Sequence, residues 1–296
     1  MEKFYISTPI YYVNDKPHIG HAYTTILADT ISRFRALIGE KPTFLTGLDE
    51  HGLKVQQAAE KNGKAPQDHC DSMAPAFIDL WKKLNINYSD FIRTTEHRHT
   101  KIVQQILTKV HESGDIYMDE YEGWYSISEE RFITEKELDS GQFGDVKKIK
   151  EKNYFFKMSK YQATLIDKIE KDELLIQPKS RKNEVLGFLK NELSDLCISR
   201  PKSRLEWGIE LPFDDNYVTY VWFDALINYI SAIGAYSNDE QFSSLWPADV
   251  HLIGKDILTT HSVYWPTMLL SLGSVSYTHL RAHETKANLV CRLLLE

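Results

Sequence analysis

The sequence predicts an α/β fold in which a parallel sheet is interrupted by an inserted α+β subdomain. Strand patterns alternate with helical patterns near the start of the chain and again after the middle, which is the order that builds parallel sheets. Between these two regions the sequence changes to short aromatic strands, a charged loop and amphipathic helices. The sheet is therefore expected to come from two separated parts of the chain.

The opening segment predicts a strand, a structured turn and a long helix. Residues 4–8 are aromatic and β-branched, and they lead into a polar loop that ends at Pro17. Apolar residues at helical spacing occupy 18–39, and residues 42–48 have the composition of a buried strand. Further helical patterns, which are expected to cover the sheet, lie at residues 53–62, 67–84 and 97–113.

The inserted subdomain sets the predicted division of the chain. After it, strand patterns at 217–221 and 250–253 each lead into helical stretches, so the α/β order resumes. We therefore assign residues 1–114 to the first half of the sheet domain, 115–208 to the insertion and 209–273 to an incomplete second half.

The last segment, residues 274–296, continues none of these patterns. Its stretch from Val275 to Thr285 resembles the translation of sequencing-adaptor DNA. We predict that it is a non-native tail, and the fold prediction leaves it out.

Composition excludes several classes of protein. With 42% apolar and 12% aromatic residues the chain can form a globular core. No apolar run is long enough to span a membrane and the N-terminus lacks a signal pattern, so we expect a cytoplasmic protein, or one of an organellar matrix. The net charge of −7 argues against a protein that coats DNA or RNA non-specifically. The cysteines, Cys70, Cys197 and Cys291, are too far apart for a zinc knuckle or a disulfide framework.

The clearest chemical signal is Pro17-His18-Ile19-Gly20-His21, where the first loop meets the first long helix. Residues three apart share a helix face, so His18 and His21 are predicted to present both imidazoles at the positive end of the helix dipole, where phosphates bind. Gly20 would let a base or a phosphate approach the backbone. Spacing alone favours a capped surface turn or half of a metal site, whereas the position just after the first strand favours a ligand crevice.

Several blocks along residues 1–273, in order, resemble one family. They are Pro9–Asn14, His18–His21, Thr46–Gly52, Tyr220–Leu226 and Ile253–Ile257 followed by His261. The second block is similar to the nucleotide-binding signature of class I aminoacyl-tRNA synthetases, and the whole set resembles the methionyl-tRNA synthetase family. The resemblance implies a Rossmann-like catalytic domain with a connective insertion. It also implies activation of L-methionine with ATP and Mg²⁺ to methionyl-adenylate, followed by transfer to tRNA(Met).

The resemblance further implies roles for individual residues. The residues implied for ATP are His18, Gly20, His21, Gly254 and Asp256, with the two histidines catalytic as donors to the transition state. Those implied for methionine are Ile10, Tyr12, Asp49, Trp222, Ala225, Tyr229, Ile257 and His261. Asp49 would hold the ammonium group, and the aromatic residues would contact the thioether. Without the resemblance, helix capping by the two aspartates and core packing of the aromatic residues remain open.

The sequence departs from the family in two places. The second signature, Lys-Met-Ser-Lys-Ser, is missing beyond Gly273, together with the helical domain that reads the anticodon. The similar stretch Lys157–Lys160 is followed by Tyr161 and is interpreted as structural. Ser126 and Glu129 stand where the zinc-binding branch has cysteines, so no zinc is expected.

Three functional hypotheses follow from these observations. The leading one is a methionine-tRNA ligase represented by a truncated chain. The alternative is a non-catalytic fragment that binds methionine or adenosine, because the triphosphate clamp is missing. A metallohydrolase built on His18, His21, Asp49 and His51 is the least favoured, and it predicts tightly bound metal.

Overall fold

The computed structural model describes residues 2–126, 131–133, 138–139, 145–274 and 279–283. The strands are β1 (Lys3–Tyr12), β2 (Lys41–Asp49), β3 (Asp90–Arg93), β4 (Ile116–Ser126), β5 (Arg131–Ile133), β6 (Val146–Phe156), β7 (Leu175–Gln177), β8 (Leu196–Cys197), β9 (Ser199–Pro201), β10 (Glu210–Leu211), β11 (Asp214–Thr219), β12 (Val250–Gly254) and β13 (His279–His283). The helices are α1 (Ile19–Leu37), α2 (Leu53–Lys61), α3 (Pro66–Lys83), α4 (His97–Glu112), α5 (Gln162–Glu170), α6 (Lys179–Phe188), α7 (Val221–Leu226), α8 (Asn228–Ser231), α9 (Asp239–Leu245) and α10 (Trp265–Ser271). Within these ranges no helix has the length and apolar character needed to cross a membrane.

A six-stranded sheet with the order β3-β2-β1-β12-β13-β7 forms the centre of the molecule. Each neighbouring pair in it is parallel. Strand β1 therefore lies between β2, which follows it in sequence, and β12, which comes after the insertion. This arrangement confirms the predicted α/β class with a split parallel sheet.

Both faces of the sheet are covered, which explains the apolar runs Phe4–Ile6 in β1 and Phe44–Leu45 in β2. Ile6 on one face packs in a buried cluster with Ala28 of α1. Tyr5 and Leu45 on the other face belong to a larger cluster that includes Ile106 of α4. Strands that are buried on both sides read as continuous apolar runs rather than as alternating patterns.

The insertion is built around a separate antiparallel sheet with the order β5-β4-β6-β8. Two features differ from the sequence prediction. Strand β7 lies within the predicted insertion but pairs with β13 at the edge of the main sheet. Residues 217–219, predicted to resume the α/β order, belong to β11 of a three-stranded sheet ordered β10-β11-β9. The chain thus crosses between the two regions more often than its local patterns indicate.

The Lys157–Lys160 stretch forms a turn between β6 and α5. Ser159 Oγ donates to Asp195 Oδ1 at 2.6 Å, and Lys160 Nζ lies 2.6 Å from Asp115 Oδ1. The serine and the second lysine of this stretch therefore bind carboxylates that belong to the insertion and its boundary.

The segment after Gly273 contributes a strand that the sequence prediction had left out of the fold. Within 279–283, Leu280 and Ala282 are buried, while Arg281 between them is exposed. This alternation suits a strand that fills the space between β12 and β7. Leaving these five residues out of the fold was therefore wrong, whereas their non-native origin stays a prediction. Residues 275–278 and 284–296 lie outside the described part of the chain.

Candidate active site

The carboxyl ends of β1, β2 and β12 meet at one edge of the sheet. Tyr12 at the end of β1 is paired with Asp49 at the end of β2, and β12 ends at Gly254 on the other side of β1. Helix α1, which begins just after His18, follows the loop that leaves β1. Open parallel sheets bind ligands beyond the carboxyl ends of their strands. Residues predicted for ATP and for methionine therefore lie at the ends of three neighbouring strands.

His18 and His21 form a reciprocal cap at the start of α1. The backbone N–H of Gly20 donates to His18 Nδ1 at 3.1 Å, and the backbone N–H of His18 donates to His21 Nδ1 at 3.3 Å. The two rings are stacked with their centroids 3.7 Å apart. Because each Nδ1 accepts a hydrogen bond, each neutral ring carries its proton on Nε2. The pair thus offers two N–H donors at the positive end of a helix.

His21 is the more enclosed of the two histidines. Its ring centroid lies 4.5 Å from that of Tyr11 and 5.7 Å from that of Phe77. Burial, followed by the proximity of His18, lowers the pKa of His21 to about 4. His21 is therefore a neutral hydrogen-bond donor at physiological pH.

Gly20 leaves room for the His18 ring in its observed position. A Cβ atom at position 20 would lie 2.9 Å from His18 Cε1 and 3.1 Å from His18 Nδ1. Real carbon contacts are not this short, so any larger residue would displace the ring. The glycine therefore serves the histidine cap itself, in addition to the ligand approach predicted from the sequence.

Neither Asp49 nor Asp256 caps a helix. Helix α2 begins after Gly52 without a side-chain cap, and Asp49, 3% exposed, ends β2. The turn at Lys255–Ile257 likewise has Gly254 at its cap position and no side-chain cap bond. Asp256 Oδ1 folds back to within 2.8 Å of the position that a Cβ of Gly254 would occupy. Helix capping therefore does not account for either Asp49 or Asp256.

Tyr229 and His261 form a buried, neutral pair. His261 Nδ1 lies 2.9 Å from the carbonyl oxygen of Ile257, which can only accept, so Nδ1 carries the proton. The Tyr229 hydroxyl then donates to His261 Nε2 at 2.7 Å. Burial lowers the pKa of His261 to about 4. Burial also raises the pKa of Tyr229, with smaller contributions that include the charge of Asp49.

The other residues predicted for methionine surround this pair to different degrees. Ile10 and Ile257 pack against the apolar cluster that contains Tyr229. Ala225 is buried and Trp222 is half-buried, both on α7. The structure thus brings Ile10, Ile257 and Tyr229 together in one cluster, to which the helix of Trp222 and Ala225 also contributes. Tyr12 packs instead against a separate cluster that contains Tyr11.

A second buried group at this edge was not singled out from the sequence. Asp224 of α7 contacts His51 at 2.6 Å and His99 at 2.7 Å. Arg200, which is 4% exposed, places its guanidinium carbon 4.3 Å from the ring centroid of Tyr220, the residue before α7. The available signal was a carboxylate inside the otherwise apolar Tyr220–Leu226 block.

The metallohydrolase hypothesis lacks its ligand cluster. No group of three or more His, Cys, Asp or Glu side chains among the residues described here is arranged to hold a metal ion. His18, His21, Asp49 and His51 all belong to that described part. His51 Nδ1 instead contacts Asp224.

A cavity of about 430 Å³ lies away from the predicted site residues. It is lined by residues that include Thr43, Leu45, Arg98, Ser231 and Gln241. None of the residues predicted for ATP or methionine lines it. Ser231 nevertheless connects it to the group around Asp224, because its hydroxyl lies 2.7 Å from His99 Nδ1.

Comparison with known proteins gives a consistent set of similarities. The family model described as tRNA synthetases class I (M) matches residues 4–143 and 140–287. The methionine–tRNA ligase of Clostridium tetani is 52% identical over 276 residues, which are 91% of this chain and 43% of that protein. That of Bacillus subtilis is 46% identical over 288 residues, again 91% and 43%. The chain thus spans less than half the length of these relatives.

Solved structures of one protein resemble the whole described fold. Mycobacterium tuberculosis methionyl-tRNA synthetase in complex with methionyl-adenylate superposes with a TM-score of 0.90 at 39% identity, over 96% of this chain and 57% of that one. Its free-state structure gives a TM-score of 0.80 at 38% identity, over 96% and 56%. The similarity is therefore greater to the adenylate complex than to the free state.

Proposed function

The chain belongs to the class I (M) tRNA synthetase family, and on this basis we propose that it forms the amino-acid-activating part of a methionine-tRNA ligase. In the proposed reaction the methionine carboxylate attacks the α-phosphorus of ATP. Methionyl-adenylate forms and pyrophosphate leaves. The observation that carries the proposal is that a two-imidazole helix cap, a buried carboxylate and an apolar cluster lie at the same edge of the sheet.

We assign the phosphate side of the reaction to His18 and His21. Their Nε2–H groups are uncharged hydrogen-bond donors. Backbone hydrogen bonds to Nδ1 hold both rings in place before the substrate arrives. Donors held in advance stabilise the charge that develops on non-bridging oxygens. Gly20 keeps the His18 ring in place, and Gly254 with Asp256 is assigned to the ribose at the end of β12.

Magnesium is assigned to the nucleotide rather than to a protein cage. Imidazoles and backbone N–H groups suit phosphate oxygens, whereas Mg²⁺ prefers oxygen ligands and retains several waters. We therefore propose that the ion enters bound to the triphosphate and neutralises charge on its β- and γ-phosphates.

We assign the methionine side to a carboxylate and a neutral pocket. Asp49 would accept hydrogen bonds from the ammonium group. In the Tyr229–His261 pair the hydroxyl and Nε2 are bonded to each other and Nδ1 is bonded to the Ile257 carbonyl oxygen, so the pair presents little unpaired polarity to a thioether. Ile10, Tyr12, Trp222, Ala225 and Ile257 are proposed as the remaining contacts.

The test is methionine-dependent exchange of pyrophosphate into ATP by the 296-residue chain. His18→Ala and His21→Ala are each expected to lower the exchange rate by about 10²- to 10³-fold, the usual cost of removing a transition-state donor. His97→Ala is the matched control, because His97 is exposed in the first turn of α4.

An alternative outcome would favour the second candidate, a non-catalytic fragment that binds methionine or adenosine. The observation behind it is that the chain covers only 43% of its C. tetani relative. Thermal stabilisation by methionine without any exchange would support this fragment over the enzyme.

Transfer to tRNA(Met) is proposed for the longer protein that the relatives represent. We propose residues 1–114 and 209–273 as the two halves of the catalytic domain and 115–208 as its connective insertion. Such an enzyme would act where translation takes place, in the cytoplasm or in an organellar matrix. Charging of tRNA(Met) by a form extended to the relatives' length is the corresponding assay.

A further inference from the structure

A buried carboxylate joins three elements beside the proposed methionine pocket. Asp224 of α7 is fully buried. Its Oδ2 lies 2.6 Å from Nδ1 of His51, in the loop after β2, and its Oδ1 lies 2.7 Å from Nε2 of His99, on α4. His51 and His99 are themselves buried, at 6% and 0% exposure. The contact therefore joins side chains that are 173 and 125 residues apart in the sequence.

The positions of the protons follow from the chemistry of the three groups. Burial alone would raise the pKa of Asp224, but His51 and His99 outweigh it through charge and hydrogen bonding and lower this pKa to about 2. The carboxylate is therefore ionised and accepts from both rings. His51 donates from Nδ1 and His99 from Nε2. The remaining Nδ1 of His99 lies 2.7 Å from the Ser231 hydroxyl, which extends the network to α8.

Apart from α4, which carries His99, each segment in this network also carries or adjoins a residue proposed for methionine. Asp49 lies two residues before His51, and Ala225 directly follows Asp224. Tyr229 lies two residues before Ser231 on α8. The hydrogen bonds thus hold the segment of the ammonium-binding carboxylate against the two short helices that form the side-chain pocket.

A role in stability alone does not account for this choice of residues. Buried ion pairs contribute little net stability compared with apolar side chains of similar volume. They do fix geometry, because a carboxylate between two rings specifies both distance and direction. Short helices such as α7 and α8, with six and four residues, depend on such contacts for their position.

We propose that Asp224 is a positioning residue of the methionine site, which holds the loop after β2 and helices α7 and α8 in fixed register through His51, His99 and Ser231. This inference rests on the proposed function, since it concerns the same site. It adds the group that sets the distance between the ammonium-binding carboxylate and the side-chain pocket.

The test compares Asp224→Asn with the unmodified chain by measuring dissociation constants for methionine and for ATP separately. An amide has the same shape but one acceptor and one donor, so one of the two histidines must adopt its other tautomer. The Kd for methionine is expected to rise about tenfold, while the Kd for ATP changes less than twofold. Histidine ¹⁵N chemical shifts are expected to report the changed tautomer without any ligand.

Asp215→Asn is the matched control, because it removes the same charge from an exposed position nine residues away. Ser231→Ala provides a milder second variant should Asp224→Asn fold poorly. It removes the hydrogen bonds of the serine hydroxyl to His99 and to the carbonyl oxygen of Asn228 but leaves Asp224 between both histidines. The Kd for methionine is expected to rise two- to threefold with that for ATP unchanged.

Two results would overturn the inference. One is an unchanged methionine Kd in Asp224→Asn, or in Ser231→Ala if only that variant folds. The other is an equal loss of affinity for methionine and ATP, which is the result of general destabilisation. If the unmodified chain binds methionine but gives no exchange, the proposed enzyme fails while this inference is still tested by the Kd values. Absence of methionine binding by the unmodified chain overturns both.

Discussion

The histidines of the proposed site differ in which ring nitrogen carries the proton, and the difference is set by the partner of the other nitrogen. His18 and His21 accept backbone N–H groups at Nδ1, which leaves Nε2–H outward as a donor. His261 donates from Nδ1 to a carbonyl oxygen, which leaves Nε2 as an acceptor for Tyr229. The same residue type is therefore proposed to provide phosphate donors at one end of the site and an uncharged part of the methionine pocket at the other.

At the residue scale, His261 predicts a dependence of stability on pH. The pKa of this ring is lowered from 6.5 to about 4 because burial disfavours its charged form. As the pH falls from about 6.5 to about 4, the unfolded chain binds a proton that the folded chain does not. The free energy of unfolding should therefore decrease across this window, by at most about 1.4 kcal/mol per pH unit for one group.

Urea unfolding at a series of pH values measures this effect. His261→Gln removes the titrating ring, so its free energy of unfolding should fall less steeply between pH 6.5 and pH 4 than that of the unmodified chain. Exposed His97→Gln serves as the control and should keep the original slope. Equal slopes for His261→Gln and the unmodified chain would contradict the prediction.

At the scale of elements, the start of α1 combines helix capping with the proposed ligand binding. The side chains that satisfy the first backbone N–H groups of the helix are the imidazoles proposed for phosphate. Gly20 lies under the His18 ring, and a Cβ there would come within 2.9 Å of it. A side chain at position 20 would therefore disturb the helix cap and the proposed site together.

Gly20→Ala is expected to separate stability from activity. Alanine favours helix formation over glycine by about 1 kcal/mol, but its Cβ would force the His18 ring out of its cap. We expect methionine-dependent exchange to fall at least tenfold while the melting temperature changes little. Gly187→Ala in α6 is the matched control, since its Cβ would meet no atom within 4 Å. Exchange at the unmodified rate in Gly20→Ala would show that the ring position does not matter.

At the scale of the whole molecule, the main sheet depends on strands from distant parts of the chain. Strand β12 returns beside β1 after the insertion, and β13 lies between β12 and β7. Without β13, the parallel sheet would have no hydrogen-bonded connection from β12 to the strand that the insertion contributes. The segment that was left out of the fold prediction therefore occupies a central structural position.

Leu280→Ala tests whether β13 contributes to stability as the sheet implies. Leu280 is fully buried, so the truncation should cost about 2–5 kcal/mol of unfolding free energy in a urea titration. Arg281→Ala, at the exposed neighbouring position of the same strand, should change it by less than about 0.5 kcal/mol. Similar small effects for both variants would mean that the segment does not pack in the sheet.

The sequence correctly predicted those structural features whose physical cause lies within a short stretch of the chain. Helical periodicity after Pro17 and the buried strand at 42–48 are patterns within short windows, and they correspond to α1 and β2. The pattern at residues 217–219 did not reveal that this strand is antiparallel, because a β-branched and aromatic run looks the same in a parallel and in an antiparallel sheet. The proposed site residues were found by their order along the chain, and their roles stay proposals.

Local patterns were thus sufficient for the α/β class, the interrupted sheet and the histidine pair at a helix start, because periodicity and capping act over a few residues. Three-dimensional contacts were needed for the proton positions of the rings, the Asp224 network and the pairing of β13 with β7. The Asp224 network and the pairing of β13 with β7 depend on residues that lie about a hundred or more positions apart and become neighbours only when the chain has folded. The proton positions depend on hydrogen-bond partners that the sequence pattern does not identify, even where those partners are near in the chain.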